Sequence, residues 1–264
     1  MTAHNGILSE EDALAKWLEL APLLERMMER VGTQGEFPVA AGSSLAGDDA
    51  AAAPYQVSHV IRMCLTAGTD HLHAAKTLTV DQGLVHVAAP SSLARGALET
   101  FAAAYWILQP TQRNERVTRS LRWHARNMND AETAVGDRKL PGHMPLKEKL
   151  AELDTVAKER SLNISAIHAG YTSTATVKCA EENLPDLPLG VVLPWRVCSA
   201  FAHGRPWALL GVSDLDVAQT KDSEIVEVRF TSNLMKALYP TLAAVQLLER
   251  LLQLYGQRSG SPLV

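Results

Sequence analysis

Apolar residues recur at helical spacing along most of this 264-residue chain, and this periodicity limits the fold more than any other feature. The first such segment begins at Ser9 in the pattern SEED, which predicts a capping box, and its apolar stripe continues to about Val31. The alternating strands and helices of a parallel α/β fold are not evident. We therefore predict an all-α helical bundle. The other predicted helices span 55–78, 91–108, 112–135, 146–161, a short part of 162–193, the segment from Pro194 to Gly204, and 233–255, which Pro240 is expected to kink and Gly256 to end.

The periodicity changes towards the C-terminal end of the sequence. EIVEVRF at 224–230 alternates apolar and polar residues, which is typical of a strand with one buried face. Together with WALLGV at 207–212, it predicts one small antiparallel β-hairpin near residues 207–231. The polar segment 214–223 is then expected to be the connecting loop.

Composition suggests a division of the chain into three parts. Residues 32–54 are rich in Gly, Ala, Ser and Asp and show no helical or strand period, which predicts a linker. We accordingly expect an N-terminal helix plus linker at 1–54, a helical bundle domain at 55–256 and a C-terminal tail at 257–264.

Charge and motif content narrow the class of protein. The formal net charge of -4 and the pI of about 6.1 argue against coating nucleic acid through bulk charge, although a local basic patch is compatible with them. The apolar runs are too short for a membrane span, and no basic region followed by an apolar run indicates a signal peptide. Three separated cysteines without CxxC favour the reducing cytoplasm. Since Walker, GxGxxG, GxSxG and HExxH motifs are missing, we expect neither cofactor nor metal.

The segment WRVCSAFAHG contains the most suggestive polar residues. Arg196, Ser199 and His203 are three and four positions apart, so they share one face of a helix. Arginine can hold a phosphate through two parallel hydrogen bonds, and histidine can move a proton. The three residues are therefore candidate catalytic residues for phosphodiester chemistry. Alternatively, they are structural: Arg196 pairs with a buried carboxylate such as Glu99, His203 bonds a carbonyl at the helix end, and Ser199 is a small helix contact.

Two further groups of residues are candidates for binding. Arg95 and Glu99 lie one turn apart in an otherwise apolar helix, as either a structural salt bridge or the floor of a polar pocket. Five arginines at three- and four-residue steps form a stripe on the helix at 112–135, which either follows a phosphate backbone or is a solvated surface. The stripe consists of Arg113, Arg116, Arg119, Arg122 and Arg126, and the candidate binding residues overall are Arg95, Glu99, Arg119, Arg122, Arg126 and Trp207.

These motifs resemble the HEPN superfamily, whose signature is an Arg followed after four to six residues by a His. Arg196 and His203 fit that spacing, and ARGALETFAAAYWIL, PTQRNERVTRSLRWHARNM and WRVCSAFAHGRPW are similar to helical actinobacterial proteins of this type over about residues 55–210. The resemblance implies a helical bundle, usually a homodimer, whose active members are metal-independent ribonucleases. It also implies that His203 activates a ribose 2′-hydroxyl and that Arg196 steadies the phosphate charge.

The sequence departs from this family at one position and leaves other functions open. Val197 stands where the family usually has a polar residue after the arginine, and many members bind nucleotides or partners without cleaving RNA. A second hypothesis is a small-molecule enzyme or binding protein with a polar pocket between helices. A third is a non-catalytic interaction protein whose helix at 9–31 packs on a partner or a second copy. The pocket of the second hypothesis would be lined by Arg95, Glu99, Tyr105, Trp195, Arg196, His203 and Trp207.

Overall fold

The computed structural model describes residues 9–136, 138, 142, 144–222 and 224–261. Within this part of the chain there are eleven α-helices and one two-stranded antiparallel sheet, which confirms the prediction of an all-α fold with one small hairpin. The helices are α1 (Glu10–Gly32), α2 (Ser44–Ala52), α3 (Val57–Lys76, extended by a π-helical turn at Thr77–Asp81), α4 (Ala89–Leu108), α5 (Arg113–Val135), α6 (Leu146–Glu159), α7 (Ile164–His168), α8 (Ser173–Asn183), α9 (Val192–Ala202), α10 (Pro206–Val212) and α11 (Leu234–Ser259). The strands are β1 (Asp214–Gln219) and β2 (Val226–Thr231).

The chain forms two compact units. Unit 1 comprises Met1–Glu36, Leu65–Phe101 and Glu181–Glu249, and unit 2 comprises Phe37–Cys64, Ala102–Ala180 and Arg250–Val264. Four helices, α3, α4, α8 and α11, contribute residues to both units.

Helix α1 belongs to unit 1 and begins with the predicted capping box. The Ser9 hydroxyl accepts the Asp12 backbone N–H, and the Asp12 carboxylate accepts the Ser9 N–H. The indole N–H of Trp17 donates to the carbonyl of Leu234 at 3.3 Å. The apolar stripe is therefore partly covered within unit 1. Its buried residues are Ala13, Trp17, Leu20, Leu24 and Met27, whereas Leu14 and Leu18 are exposed.

Glycine permits close contact between α3 and α4 in unit 1. A Cβ atom at Gly68 would overlap the Phe101 ring, and a Cβ atom at Gly96 would overlap the His71 ring. Each helix thus supplies one glycine at the point where a large side chain of the other helix crosses its backbone. The closeness of the two helices depends on these two positions.

In unit 2 the prediction of a linker over 32–54 is wrong, because residues 44–52 form α2. The Asp48 carboxylate is fully buried and accepts two bonds from the buried Arg116 guanidinium, at 2.6 and 2.8 Å. Arg116 also donates to the hydroxyl of Ser44 and to the carbonyls of Pro110 and Thr111. The alanine-rich segment has no apolar stripe at helical spacing. It is held to α5 by the buried ion pair between Asp48 and Arg116.

The last helix is longer than predicted, since α11 passes Gly256 and ends at Ser259. In unit 2 the hydroxyl of Tyr255 donates to the Phe37 carbonyl at 2.7 Å, and the two rings meet edge to face. These contacts keep the last turns helical beyond Gly256. The chain leaves the helix at Gly260, whose φ is 67°.

The hairpin is present, but its bounds differ from the prediction. Residues 207–212 belong to α10 rather than to a strand, because Pro206 occupies the first helical turn. Residues 214–219, predicted as a loop, form β1. Both strands are largely exposed, and the register collects the apolar side chains on one face. The cross-strand pairs on that face are Leu215–Phe230, Val217–Val228 and Gln219–Val226, and those on the other are Asp214–Thr231, Asp216–Arg229 and Ala218–Glu227.

Candidate functional site

Helix α9 carries the three candidate catalytic residues, and a carboxylate fixes its N-terminus. The Glu181 side chain accepts the backbone N–H groups of Val191 and Val192 at 2.8 and 2.7 Å. These bonds satisfy donors that have no partner inside the helix. Pro194 is the third helical residue rather than the first, so α9 begins earlier than the sequence predicts.

The C-terminal end of α9 places His203 in solvent. His203 is the capping residue after Ala202, and its backbone N–H donates to the Ser199 carbonyl at 3.1 Å. Gly204 follows in the left-handed conformation, with a φ of 60°, which turns the chain away from the helix axis. The imidazole is therefore held at an exposed corner between α9 and α10.

The helix presents two different faces. One face buries Pro194, Cys198 and Phe201. The opposite face carries Arg196 and His203, which are exposed, and Ser199, which is half-buried. Within the described chain, the Arg196 side chain makes no hydrogen bond or ion pair. The expected pairing of Arg196 with Glu99 does not occur, so Arg196 remains available to an external anion.

A guanidinium from another helix contacts His203. The Arg95 Nη1 atom lies 3.3 Å from the His203 Nε2 atom, and both residues belong to unit 1. A guanidinium can only donate, so this hydrogen bond requires an Nε2 atom that carries no proton. In this contact the Nε2 atom of His203 is the acceptor. An unprotonated Nε2 atom is what a general base needs.

Glu99 orients both the guanidinium and a neighbouring aromatic ring. Its Oε1 atom accepts the Arg95 Nε–H at 2.9 Å and the Trp195 indole N–H at 2.8 Å. The Arg95 and Glu99 side chains are about one-quarter exposed, 27% and 24% respectively. A partly buried carboxylate that holds two donors at once restricts the rotamers of both. Arg95 and Trp195 are thus positioned by one acceptor.

The charged side chains of this site, Arg95, Arg196 and Glu99, carry a net positive charge. Arg95 and Arg196 contribute two guanidinium groups against the single carboxylate of Glu99, and Arg205 is exposed two residues after His203. Arg196 and His203 are seven positions apart, which is about 10 Å along the helix axis. An extended phosphate chain can therefore contact both positions, whereas a single phosphate beside His203 is in reach of Arg95.

The buried cysteine of α9 does not belong to the reactive groups. Burial raises the pKa of the Cys198 thiol to about 12, in spite of a hydrogen bond with Ser91 and the nearby charge of Arg95. The thiol therefore stays protonated and unreactive at neutral pH. Cys198 acts as a small buried side chain, as the sequence indicates.

In unit 2, most arginines of the α5 stripe are held by internal partners. Arg116 is buried against Asp48, and Arg119 bonds Glu115 and the Trp106 carbonyl. Arg122 donates to the Gly170 carbonyl at 2.7 Å, and its guanidinium lies over the Trp106 ring. The stripe is therefore largely structural.

The other predicted site residues Arg126, Trp207 and Tyr105 differ in how exposed their side chains are. Arg126 pairs with Asp130 at 2.8 Å but keeps half of its side chain exposed, so it is the most accessible of the three predicted binding arginines on α5. Trp207 is 56% exposed on α10, and Tyr105 is buried in unit 2.

The pocket hypothesis groups Arg95, Glu99, Trp195 and His203 in one lining, but the sequence does not give the contacts between them. The chain separates Arg95 from His203 by 108 positions and Glu99 from Trp195 by 96, so these contacts form only on folding.

The fold and this group of residues define a helical protein with a solvent-exposed Arg–His pair on a cationic surface. Across the described residues, no cluster of three or more His, Cys, Asp or Glu side chains is placed to hold a metal ion. No helix in the same residues has the length and apolar character needed to cross a membrane. No family model, curated protein or solved structure matches the chain.

Proposed function

We propose that this chain is a HEPN-like protein that binds RNA at the exposed face of α9 and cleaves it without a metal ion. The observation that supports this proposal is the 3.3 Å contact between the Arg95 Nη1 atom and the His203 Nε2 atom. It joins a phosphate-binding cation to a potential general base in contact with solvent. The proposal rests on this geometry and on the Arg196–His203 spacing.

The proposed reaction is an internal transfer at the RNA phosphate. A phosphate that binds Arg95 withdraws the guanidinium from His203 and frees the Nε2 lone pair. His203 then takes the proton of the ribose 2′-hydroxyl, the 2′-oxygen attacks the adjacent phosphorus, and the bond from phosphorus to the 5′-oxygen breaks. The leaving oxygen takes a proton from solvent. The products are a 2′,3′-cyclic phosphate and a free 5′-hydroxyl.

The remaining residues of the face have binding roles in this proposal. The family resemblance implies that Arg196 binds the reacting phosphate. Here that role belongs to Arg95, because Arg95 is the guanidinium in contact with His203. Arg196 binds a neighbouring phosphate, since it is exposed and about two turns away. Ser199 lies between them as a further hydrogen-bond donor, and Glu99 keeps Arg95 oriented.

RNA binding can be tested by fluorescence anisotropy of a labelled single-stranded RNA over a range of salt concentrations. Arg196→Met should weaken binding and reduce the slope of log affinity against log salt by about one, because one phosphate contact is lost. The matched control is Arg26→Met, which removes the same charge from an exposed position on α1. Equal effects of the two substitutions would show that only bulk charge is being measured.

We also propose a homodimer that resides in the cytoplasm. The apolar face of the hairpin supports the dimer, because Val217 and Val226 are 52% and 48% exposed and an apolar face can cover its own copy. Three cysteines that form no disulfide favour a reducing compartment.

The oligomeric state can be tested by light scattering after gel filtration over a range of protein concentrations. Val217→Lys should shift the protein to monomer, because it places a charge on the apolar face. Ala218→Lys is the matched control, since it adds the same charge one residue away on the opposite face. A native protein that is monomeric at every concentration would refute the homodimer.

A further inference from the structure

A concave site lies in unit 1, on the side of α9 opposite Arg196 and His203. It is a half-open cleft of about 200 Å³ between the start of α4, the buried side of α9, the end of α10 and the start of α11. Its wall is almost entirely apolar. The side chains that form most of it are Pro194, Val197, Phe201, Val212, Met235 and Pro240.

Two of the three polar side chains of the cleft lie on one helix. Lys236 and Tyr239 line the cleft three residues apart on α11, so their side chains lie on the same side of that helix. Burial raises the pKa of the Tyr239 phenol, which keeps its hydroxyl protonated and able to donate. Within the described chain that hydroxyl has no hydrogen-bond partner. Ser91 adds one hydroxyl from α4.

Among the described residues, Lys236 is the one charged side chain of the cleft wall, and no carboxylate lines it. The Lys236 ammonium bonds the Asp214 carboxylate at 2.5 Å, outside the cleft. An ammonium has three N–H groups, so this bond leaves two donors for another acceptor. Together with the Tyr239 hydroxyl they can hold both oxygens of a carboxylate.

We propose that this cleft binds a small carboxylic acid with an apolar body, whose carboxylate lies between Lys236 and Tyr239. The body packs against Val197 and Phe201. A closed apolar cavity of about 150 Å³ accepts benzene, so a cleft of this volume accepts a body of one aromatic ring or a comparable branched chain. The proposal is independent of RNA binding, because the cleft residues of α9 lie on the face opposite Arg196 and His203.

Phenylacetate is a suitable probe, and 2-phenylethanol is its uncharged counterpart of similar size. Binding of each to the full chain can be measured by ligand-observed NMR titration. We expect phenylacetate to bind about tenfold more tightly than 2-phenylethanol, because a charged hydrogen bond is added to the same apolar contact. Equal affinities would overturn the assignment of an anionic ligand, and no binding of phenylacetate would overturn the site.

Substitutions at Lys236 and Asp214 should change the preference for phenylacetate over 2-phenylethanol in opposite directions. Lys236→Met should remove the tenfold preference while 2-phenylethanol binding is retained. Asp214→Asn should strengthen phenylacetate binding several-fold, since it removes the competing carboxylate but keeps the ammonium. A merely structural role of the Lys236–Asp214 pair predicts that both substitutions weaken binding, which would contradict the proposal.

Two tryptophan variants locate the binding. Val197→Trp should fill the cleft and abolish binding of both probes, whereas Leu193→Trp adds the same side chain to α9 at a residue that is 61% exposed and outside the cleft. Arg196→Met should leave phenylacetate binding unchanged, which separates the cleft from the cationic face. Binding that survives Val197→Trp, or that is lost in Arg196→Met, would refute the cleft as the site.

Discussion

The contact between the Arg95 guanidinium and the His203 imidazole is the feature from which the reaction is proposed. Arginine beside histidine does more than supply charge, since a donor-only group favours the unprotonated form of the nitrogen it contacts. Glu99 strengthens this effect because it fixes Arg95 through the Nε–H. At the residue scale, the proposed general base thus contacts a guanidinium that is held by one carboxylate.

A second histidine is buried and has a different role. His124 lies on α5 between the rings of Tyr55 and Trp123, and its Nε2 atom is buried without a hydrogen-bond partner. Burial lowers the pKa of His124 from 6.5 to about 4. This imidazole is consequently neutral in the folded chain at any pH above that value.

The low pKa of His124 predicts that stability falls as pH falls from 6.5 to about 4. In that interval the unfolded chain binds a proton at His124 and the folded chain does not. This difference lowers the free energy of unfolding by about 3 kcal/mol at the acid end of the interval. His124→Phe should flatten this part of the stability curve, which urea unfolding at a series of pH values would measure. His86→Phe, at an exposed position, is the control. An unchanged acid slope in His124→Phe would contradict the assignment.

At the scale of elements, the contact between α3 and α4 depends on glycine. Gly68→Ala should destabilise the fold by about 1–3 kcal/mol, because the added methyl group overlaps the Phe101 ring and forces it out of place. Gly211→Ala in α10 meets open space and should be neutral or slightly stabilising, since alanine is the better helix former. Urea unfolding measures both free energies. A Gly68→Ala protein as stable as the native one would show that the two helices can separate without cost.

Most helices could be predicted because they repeat apolar residues at helical spacing, and the start of α1 was marked by its capping box. The exceptions have physical reasons. Helix α2 is rich in alanine, and a buried Asp48–Arg116 pair rather than an apolar stripe holds it in place. Helix α10 is a short apolar run, for which periodicity alone does not separate helix from strand.

The candidate site could be predicted only in part. The spacing of Arg196, Ser199 and His203 placed them correctly on one helical face, because that relation is local. The contact of Arg95 with His203 is a tertiary one, and no local pattern encodes it. The same limit applies to the α5 arginines, whose acceptors are carbonyls and carboxylates brought near by folding.

At the scale of the whole molecule, the net charge of -4 contrasts with the cationic face of α9. An acidic protein with a local basic surface binds phosphates at that surface and repels them elsewhere, which favours specific over bulk association. The apolar cleft behind the same helix gives the chain a second type of site. The two proposed sites, one cationic and one largely apolar, lie on opposite faces of α9.

The most direct test of the central claim is cleavage of a mixed pool of labelled RNAs by the purified protein in the presence of EDTA, beside a His203→Ala variant. We expect the native protein to produce fragments that end in a 2′,3′-cyclic phosphate and the variant to produce none, because the variant lacks the base that takes the 2′-hydroxyl proton. Intact RNA with the native protein, or equal cleavage by both proteins, would contradict the role of His203.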